Sequence, residues 1–434
     1  KTIQVPVFND TQFNVLDYKA AQGTDSDAFK LAIEACNQSG GGMVVVPEGI
    51  YHTGPIHLLD NVRLHLEKGA EIKFSTIPSD YLPVVHTSFE GTELMNYSPL
   101  IYAFGKKNIA VTGEGLLNGQ ANNANWWQWK GSKEYGWKEG QPCQKDPSSR
   151  DRLIELSEGG TPVGERIFGE GYYLRPSFIE FFECENILIQ GVRIVDAPFW
   201  VIHPIKSNNI TVDGVTVESH GPNNDGCDPE YSKNILIQNC TFNTGDDCIA
   251  IKSGRNEDGR RVGIKSERII IRGCKMIDGH GGVVMGSEIS AGVSDVYVED
   301  CIMDSPNLDR AIRIKSNSKR GGVVENIYVR NIQVGKVKEA VLKINMFYAT
   351  YSEQQGKFLP VVRNITLENI TVQDGGYYGI MAKGYEEFPI ENITFKNVKI
   401  EKVDEAFSIE HVKNLRLIDT YANGSLLQSP ASSK

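Results

Sequence analysis

The sequence predicts an all-β protein: a right-handed parallel β-helix, built as a single-stranded solenoid with an N-terminal capping helix. Three observations lead to this prediction. An eight-residue pattern recurs ten times, an asparagine directly precedes most copies, and the 3.6-residue apolar period of a helical solenoid is not visible. The 43 glycines in 434 residues supply the turns that many short strands require. The octets begin at residues 109, 187, 210, 235, 269, 296, 327, 365, 393 and 415.

Each octet is apolar at its first and third positions, usually has Gly, Asn or Asp at its fifth, and returns to apolar residues at its sixth and eighth. This pattern predicts two short strands with a bend between them. Equal positions in successive coils then lie about 4.8 Å apart. The sixth positions form an inward-facing column in which three of the eight cysteines act as core residues rather than as a disulfide framework. The column contains Val192, Val215, Cys240, Cys274, Cys301, Ile332, Ile370 and Val398.

An asparagine stands directly before eight of the ten octets. Asparagine tolerates the left-handed backbone conformation and forms local hydrogen bonds, so we expect a tight turn at this point of every coil. The recurring Asn-Ile-Thr triplets are interpreted in the same way and not as glycosylation sites. These residues are Asn108, Asn186, Asn209, Asn234, Asn326, Asn364, Asn392 and Asn414.

We expect a single β-helix domain over residues 1–434, with the cap and first coils in about 1–100 and the main coils in 101–425. Residues 24–38 predict an amphipathic helix that covers the open end of the core. A Trp-rich insertion at about 118–176 interrupts the repeat and holds four of the five tryptophans. These aromatic faces can stack on sugars or pack the long loop onto the coils, and an insertion of this length can close one end of a groove.

The formal charge of -10 argues against nucleic-acid and anionic-membrane partners. No apolar stretch approaches the roughly 18 to 20 residues of a membrane-spanning helix. The cysteines form no CxxC pair and no zinc-type cluster with histidine, so neither a metal nor a cofactor is expected. The chain begins at Lys1 rather than at Met, which fits a processed, secreted or periplasmic protein whose signal peptide is not present.

Polar residues replace simple turns on the coils of residues 220–320. Asp246 and His280 each lie 11 residues after the start of an octet, so they are expected one coil apart. The following segments DCIAIKS, GGVVMGS and RAIRIKS align as well. The alignment predicts a ladder on one face with steps of about 4.8 Å. In order, the ladder is Asp225, then Asp246 with Asp247, then His280, then Arg313 with Lys315.

Three neighbouring carboxylates cannot all stay ionised without help, and a raised pKa on one of them would suit a general acid. A carboxylic acid and a water-binding carboxylate are the usual apparatus of glycoside hydrolysis, and Arg with Lys would bind an anionic sugar. Ordinary turns are one alternative, since Asp, Asn and Gly are common turn residues. A Ca²⁺ site is another, although Arg313, Lys315 and His280 disfavour a cation. A non-catalytic β-helical carbohydrate-binding protein is the third.

The motifs NNDG at 223, GDDC at 245, GHGG at 279 and RIK at 313 resemble, in this order, those of the polygalacturonase family of pectin-degrading glycoside hydrolases. The resemblance covers nearly the whole chain and is nearest to bacterial exo-polygalacturonases. It implies inverting hydrolysis of α-1,4-linked galacturonic acid in pectin or oligogalacturonides, more in keeping with exo than with endo action. A rhamnogalacturonan or xylogalacturonan hydrolase on the same fold is the alternative within this class.

The resemblance also implies roles for individual residues. Asp246 would donate the proton, Asp225 and Asp247 would activate the attacking water, and His280 would support the acid. Arg313 and Lys315 would bind the galacturonate carboxylate. One coil between carboxylates suggests the roughly 5 to 5.5 Å of retaining enzymes instead of the 6.5 to 9.5 Å of inverting ones, although side-chain directions can add several ångströms. Further candidates for substrate contact are Asn223, Arg255, Arg260, Arg261, Arg175, His203 and Tyr348.

Overall fold

The computed structural model describes residues 3–19, 25–348 and 356–430, and these form a right-handed parallel β-helix whose coils have three faces. The strands of the first face are Gln12–Asn14, Gly42–Val46, Val62–Leu66, Lys107–Gly113, Glu185–Gln190, Asn208–Asp213, Lys233–Gln238, Ser266–Arg272 and Val293–Glu299. Those of the second face are Gly49–Thr53, Ala70–Phe74, Leu116–Asn118, Arg193–Val195, Thr216–Ser219, Thr241–Thr244, Lys275–Asp278 and Ile302–Met303. In later coils the two faces share the continuous strands Val323–Lys336, Val361–Asp374, Ile390–Lys402 and Val412–Ala422.

The third face carries the strands that follow the polar turns. Its strands are Ile56–His57, Ile101–Phe104, Ile179–Phe182, Ile202–Ile205, Ile249–Ile251, Gly281–Gly286, Arg310–Lys315, Ala340–Asn345, Tyr378–Lys383 and Glu405–Glu410. Bridges at Cys227 and Glu230 continue this face between Ile202–Ile205 and Ile249–Ile251. Most buried apolar residues of the three faces point inward into one cluster that runs from Val15 to Ala422. On the third face, Tyr102, Phe182 and Ile205 form a separate cluster with Tyr231.

The octet register is confirmed, because the first residues of successive octets pair, from Ile109 with Ile187 to Ile393 with Leu415. The bend between the two predicted strands is present even where the strand is continuous: Asn331 and Asn369 have φ of 55° and 56°. The three cysteines of the inward column are buried. All eight cysteines lie in the described part of the chain, and each is a buried free thiol.

The asparagines before the octets form the expected turn. All eight have φ between 54° and 64°. Their side chains also bond from coil to coil: Asn186 donates to Asn108 at 3.0 Å, and Asn209 donates to Asn186 at 2.7 Å. A similar ladder runs through Asn364, Asn392 and Asn414. The asparagines therefore tolerate the left-handed backbone of the turn, and their side-chain hydrogen bonds link one coil to the next.

Within the described residues, three helices accompany the coils: Asp25–Gln38, Arg152–Glu158 and Asn256–Val262. The first covers the N-terminal end of the core with Phe29, Ala32, Ile33 and Cys36, while Thr24, the predicted first residue of this helix, lies outside the described residues. Short 3₁₀ turns span Val15–Tyr18, Pro78–Tyr81, Trp127–Lys130, Lys133–Tyr135 and Val163–Glu165, and a π turn spans Pro147–Asp151. No helix in the described ranges is long and apolar enough to cross a membrane.

Two antiparallel elements lie outside the coils. Val85–Phe89 and Thr92–Asn96 form a hairpin, and Ser425–Leu426 turns back on the last strand. In the Trp-rich insertion, Trp126 and Trp129 are buried with ring centroids 5.0 Å apart, and Trp127 donates to the carbonyl of Ala197 at 2.8 Å. For these three tryptophans the loop-packing alternative is therefore the correct one.

Candidate active site

The third face brings the predicted ladder together. Ala250 pairs with Val284 and Val284 pairs with Arg313, as the alignment of the three segments predicted. Lys315 pairs with Gly286 on the same strands. The amide of His280 donates to the carbonyl of Asp246 at 3.0 Å, which places the two residues in adjacent coils. These outward-facing positions share one surface because parallel strands in register repeat every side-chain direction.

The three aspartates lie at the centre of the site. One carboxylate oxygen from each of Asp225, Asp246 and Asp247 lies within 4.8 Å of the others. Asp225 and Asp247 are buried, while Asp246 is partly exposed. The separation is below the roughly 6.5 to 9.5 Å typical of inverting glycosidases.

Asp246 and His280 form an ion pair with 3.1 Å between Oδ1 and Nδ1. The hydrogen bond with Asp246 raises the pKa of His280 to about 9. Burial would raise the pKa of Asp246, but the hydrogen bond and charge of His280, with Lys315 and Lys130, bring it below the usual range. The pair therefore keeps one proton at neutral pH, and that proton resides on the imidazole.

The raised carboxyl pKa is on Asp225 instead of on Asp246. Burial is the main cause, and the charges of Asp228 and Asp246 add to it. Because two buried carboxyl groups stand side by side, protonation of one relieves both the desolvation and the repulsion. The expectation of a raised pKa in the cluster is met, but not on the residue to which the resemblance assigns proton donation.

Two cations face the aspartates. Lys315 Nζ contacts Asp247 Oδ2 at 3.0 Å. The Arg313 guanidinium is 5.4 Å from the ring centre of Tyr348, and Lys315 is 5.3 Å from it. Desolvation lowers the pKa of Arg313, and its Nε has no hydrogen-bond partner among the described residues. A buried donor of this kind suits an anionic ligand.

The site lies in a cleft of about 270 Å³. The sequence-predicted residues Asn223, Asp225, Asp246, Asp247, Arg255, His280, Arg313, Lys315 and Tyr348 line it. The sequence analysis missed a second group of lining residues: Glu90, Lys130, Trp200, Lys252, Ser287, Glu288 and Arg320. The alignment of DCIAIKS with RAIRIKS already placed Lys252 in register with Lys315, which was a usable signal for that residue. Ser287 is the last residue of the aligned segment GGVVMGS. Glu90 and Lys130 had no such signal, because they come from the hairpin and the insertion outside the repeat.

Two of these residues, Glu90 and Lys130, belong to a wall of the cleft that lies outside the coils. Glu90, at the tip of the hairpin, pairs with Arg255 at 3.3 Å and with Arg150 at 3.5 Å. The carbonyl of Gly91 accepts from the amide of Arg255 at 2.9 Å. Lys130 reaches the wall from the Trp-rich insertion and donates to Asn223 at 3.0 Å. The hairpin and the insertion together limit the cleft on this side.

A second groove of about 310 Å³ begins on the other side of His280. It is wider open to solvent, and Tyr135, His220, Asn307 and Lys338 line it. His280 is the residue that lines both spaces. The pair of Asp246 and His280 therefore lies at the junction of the walled cleft and the open groove.

Four of the predicted substrate contacts do not line the cleft: Arg175, His203, Arg260 and Arg261. Arg175 is buried and its guanidinium donates to Asn223 at 2.8 Å, so it supports a lining residue from behind. His203 is fully buried between Glu180 and Glu230. Arg261 lies outside the cleft and pairs with Asp258 at 3.2 Å. The sequence analysis placed these residues near the site but could not give the direction of their side chains.

Arg260 and Arg261 lie on the helix Asn256–Val262. A buried ion pair of 2.9 Å between Asp258 and Arg166 holds this helix against the insertion side of the molecule. Arg260 stacks on Phe358 with 3.5 Å between the guanidinium carbon and the ring centre. Arg255, directly before the helix, is the arginine of this segment that lines the cleft.

The three aspartates have the donor atoms for a divalent cation. However, Asp247 is paired with Lys315 and Asp246 with His280. A metal ion would have to displace or repel both positive groups, so the donor set fits a cation poorly. The arrangement suits acid–base chemistry on an anionic substrate better.

Comparisons with known proteins agree with this chemistry. The family model for glycosyl hydrolases family 28 matches residues 170–420. The crystal structure of a hyperthermoactive exopolygalacturonase from Thermotoga maritima superposes on this structure with a TM-score of 0.92. The two sequences are 42% identical, and the match covers 100% of this chain and 97% of the Thermotoga chain.

Two curated relatives are more distant. A probable polygalacturonase of Vitis vinifera is 27% identical over 90% of this chain and 72% of its own length. An exo-poly-alpha-D-galacturonosidase of Dickeya chrysanthemi is 27% identical over 83% of this chain and 62% of its own. The chain belongs to glycosyl hydrolases family 28.

Proposed function

We propose that this glycosidase hydrolyses α-1,4 linkages between galacturonic acid residues of pectin, acting from the chain end. The observation that carries the proposal is the walled cleft in which three carboxylates within 4.8 Å of one another face Arg313 and Lys315. Carboxyl groups serve glycoside hydrolysis, and a guanidinium with an ammonium group suits a uronate carboxylate. The family and the names of the relatives support the same substrate.

The proposed mechanism assigns one task to each group. Asp246 takes over the proton that His280 holds and gives it to the glycosidic oxygen as the bond from that oxygen to C1 breaks. A water molecule held by Asp225 and Asp247 forms the new bond to C1 and gives its proton to that carboxylate pair. After the reaction, the carboxylate pair releases the proton that it gained, and His280 regains one from solvent. Arg313 and Lys315 hold the sugar carboxylate beside the bond that breaks.

Exo action is supported by the shape of the cleft. Glu90 and Lys130 stand in the wall on one side, and the open groove beyond His280 leads away on the other. Because the wall stops the polysaccharide chain, only the terminal sugar of that chain can occupy the cleft. A polymer cannot enter a cell intact, so we also propose that the protein acts outside the cytoplasm, in cell-wall degradation.

The first prediction concerns the products. On polygalacturonate, the earliest samples are expected to contain galacturonic acid as the single small product, because the wall admits one chain end at a time. Chromatography of timed samples checks this, and a ladder of oligomers at the first time points would exclude exo action. Rhamnogalacturonan and xylogalacturonan in parallel test the two rival substrates.

Proton NMR of the same reaction reports the anomer that forms first. The inverting assignment requires the β-anomer from an α-linkage, followed by slow mutarotation. A first product with the α-configuration would instead identify one aspartate as a nucleophile, as the short carboxylate separation of a retaining enzyme suggests.

The second prediction concerns pH. The proton on the pair of Asp246 and His280 is present below the His280 pKa of about 9 and is lost as the pH rises through it, so kcat should fall above that pH. In His280→Ala, Asp246 must hold the proton alone. The alkaline limb of the plot of kcat against pH should therefore move to much lower pH. At pH 7 we expect a loss of roughly 100-fold. His411→Ala, on a late coil, serves as the control, and an unmoved alkaline limb in His280→Ala would refute the pair.

A further inference from the structure

Arg255 and Arg320 are two buried arginines that line the cleft, and the proposed mechanism gives them no role. Their exposed fractions are 6% and 2%. The Nε atom of each has no hydrogen-bond partner among the described residues. A buried N–H donor without an acceptor is costly in free energy. The two side chains therefore suit a ligand that supplies acceptor atoms.

Negative charge around these two arginines is scarce. The carboxylate of Glu90 is shared between Arg255 at 3.3 Å and Arg150 at 3.5 Å, so one anion faces two guanidinium groups. Arg320 forms no ion pair within the part of the chain that the structure describes, and its Nη1 donates to the neutral amide oxygen of Asn256 at 2.8 Å. Burial and the charge of Arg255 lower the pKa of Arg320 to about 9. Because an unpaired buried cation is strongly destabilising, an anionic ligand is favoured here.

Glu288, the other carboxylate near Arg320, is already engaged. Its Oε1 accepts from the hydroxyl of Ser287 at 2.5 Å, and its Oε2 contacts Lys252 Nζ at 3.1 Å. Burial would raise the pKa of this carboxyl group, but the charges of Lys252, Arg320 and Arg255 bring it down to about 2. One carboxylate therefore compensates these three cations only in part.

Both arginines are held in place by the protein itself. The amide of Arg255 donates to the carbonyl of Gly91, at the tip of the hairpin, at 2.9 Å. The amide of Arg320 donates to the side chain of Asn317 at 3.0 Å. Guanidinium groups that are fixed in advance bind a carboxylate through charge-assisted hydrogen bonds and lose little conformational entropy. This end of the cleft therefore suits a carboxylate.

The positions of the catalytic groups indicate which sugar supplies that carboxylate. Asp225 and Asp247, to which the proposed mechanism assigns the water, line the walled cleft and not the open groove. The sugar that the water attacks at C1 therefore lies in the cleft. Because its C1 is part of the linkage, this terminal sugar is the non-reducing end of the chain. Lys315 contacts Asp247 and so lies beside the bond that breaks, whereas Arg255 lies at the wall.

We propose that Arg255 and Arg320 bind the carboxylate of the terminal galacturonate and thereby make an unesterified chain end a requirement for efficient cleavage. This inference rests on the proposed function, which places the terminal sugar in the cleft. Arg313 and Lys315 then hold the carboxylate of the next unit, beside the bond that breaks. A methyl ester removes the negative charge of the terminal unit and leaves the two buried guanidinium groups without a partner.

Digalacturonate tests this proposal in two forms, as the free acid and with a methyl ester on its non-reducing unit alone. The parent should cleave the ester with a kcat/KM lower by about tenfold or more, the range expected for the loss of a charged hydrogen bond. In Arg320→Gln the free acid should lose about as much, mainly through a higher KM, while the ester should stay within about threefold of the parent. Arg320→Lys keeps the charge and should retain part of the preference for the free acid.

The ratio of kcat/KM between the two substrates separates a binding role from a structural one, because general damage to the fold lowers both values alike. Arg330→Gln, at an exposed arginine on the first face, is the matched control and should keep the parental ratio. A parental ratio in a folded Arg320→Gln, or equal cleavage of both substrates by the parent, would overturn the proposal. If Arg320→Gln does not fold, Arg255→Gln decides by the same ratio. A parent that cleaves no galacturonate substrate would instead refute the proposed function.

Discussion

Replacement of Asp246 by asparagine is expected to lower kcat on polygalacturonate by roughly 10³-fold or more, within the range that a lost general acid produces. The amide is nearly isosteric with the carboxyl group and can still contact His280, but it cannot release a proton to the glycosidic oxygen. Binding should be little changed, because Arg313 and Lys315 remain in place. Steady-state kinetics and an independent binding measurement with an oligogalacturonide check both parts.

The leaving group provides a sharper test of the same substitution. An aryl galacturonide whose phenol leaves without protonation should lose much less activity in Asp246→Asn than the natural linkage does. Asp213→Asn, at a turn on the first face, is the matched control and should match the parent. A uniform loss on both substrates would show that Asp246 does not act as an acid, and a parent that binds without turnover would indicate a carbohydrate-binding protein.

Replacement of His203 by alanine is expected to destabilise the protein by about 3 to 5 kcal/mol, the range for breaking a buried ion pair. His203 is fully buried, with Nε2 3.1 Å from Glu230 and Nδ1 3.4 Å from Glu180. Burial would lower the pKa of His203, but its hydrogen bonds to both glutamates raise it to about 9. Burial also raises the pKa of Glu180, so we assign the charged pair to His203 with Glu230. Without His203, Glu230 is an uncompensated buried charge.

Denaturant unfolding of the parent, His203→Ala and the exposed control His52→Ala measures this effect. The contribution of His203 has a defined pH dependence, because its pKa is raised on folding. The stabilisation is fully present below the ordinary histidine pKa and is lost as the pH rises through about 9. The difference in the free energy of unfolding between the parent and His203→Ala should therefore become smaller in alkaline buffer. A gap of less than about 1 kcal/mol near pH 6 would contradict the ion pair.

The pairing of the polar ladder could be predicted from the sequence because a β-helix repeats its register. Counting from each octet placed Asp246 beside His280, and aligning RAIRIKS with GGVVMGS placed Arg313 over Val284. The orientation of His203 could not be predicted in this way. His203 is close to the site in the chain, but sequence spacing does not show that Glu180 and Glu230 enclose the ring.

The solenoid, its turn asparagines, its buried cysteines and the order of the polar ladder were determined by the sequence alone, since each depends on a local pattern repeated from coil to coil. The wall of the cleft was decided by the tertiary structure. Glu90 meets Arg255 across 165 residues of chain, and this contact depends on how a hairpin and a helix outside the repeat pack on the third face. The tertiary structure also decided which of the carboxyl groups hold a proton. The pKa values of Asp225 and Asp246 depend on burial and on neighbouring charges, and sequence spacing shows neither.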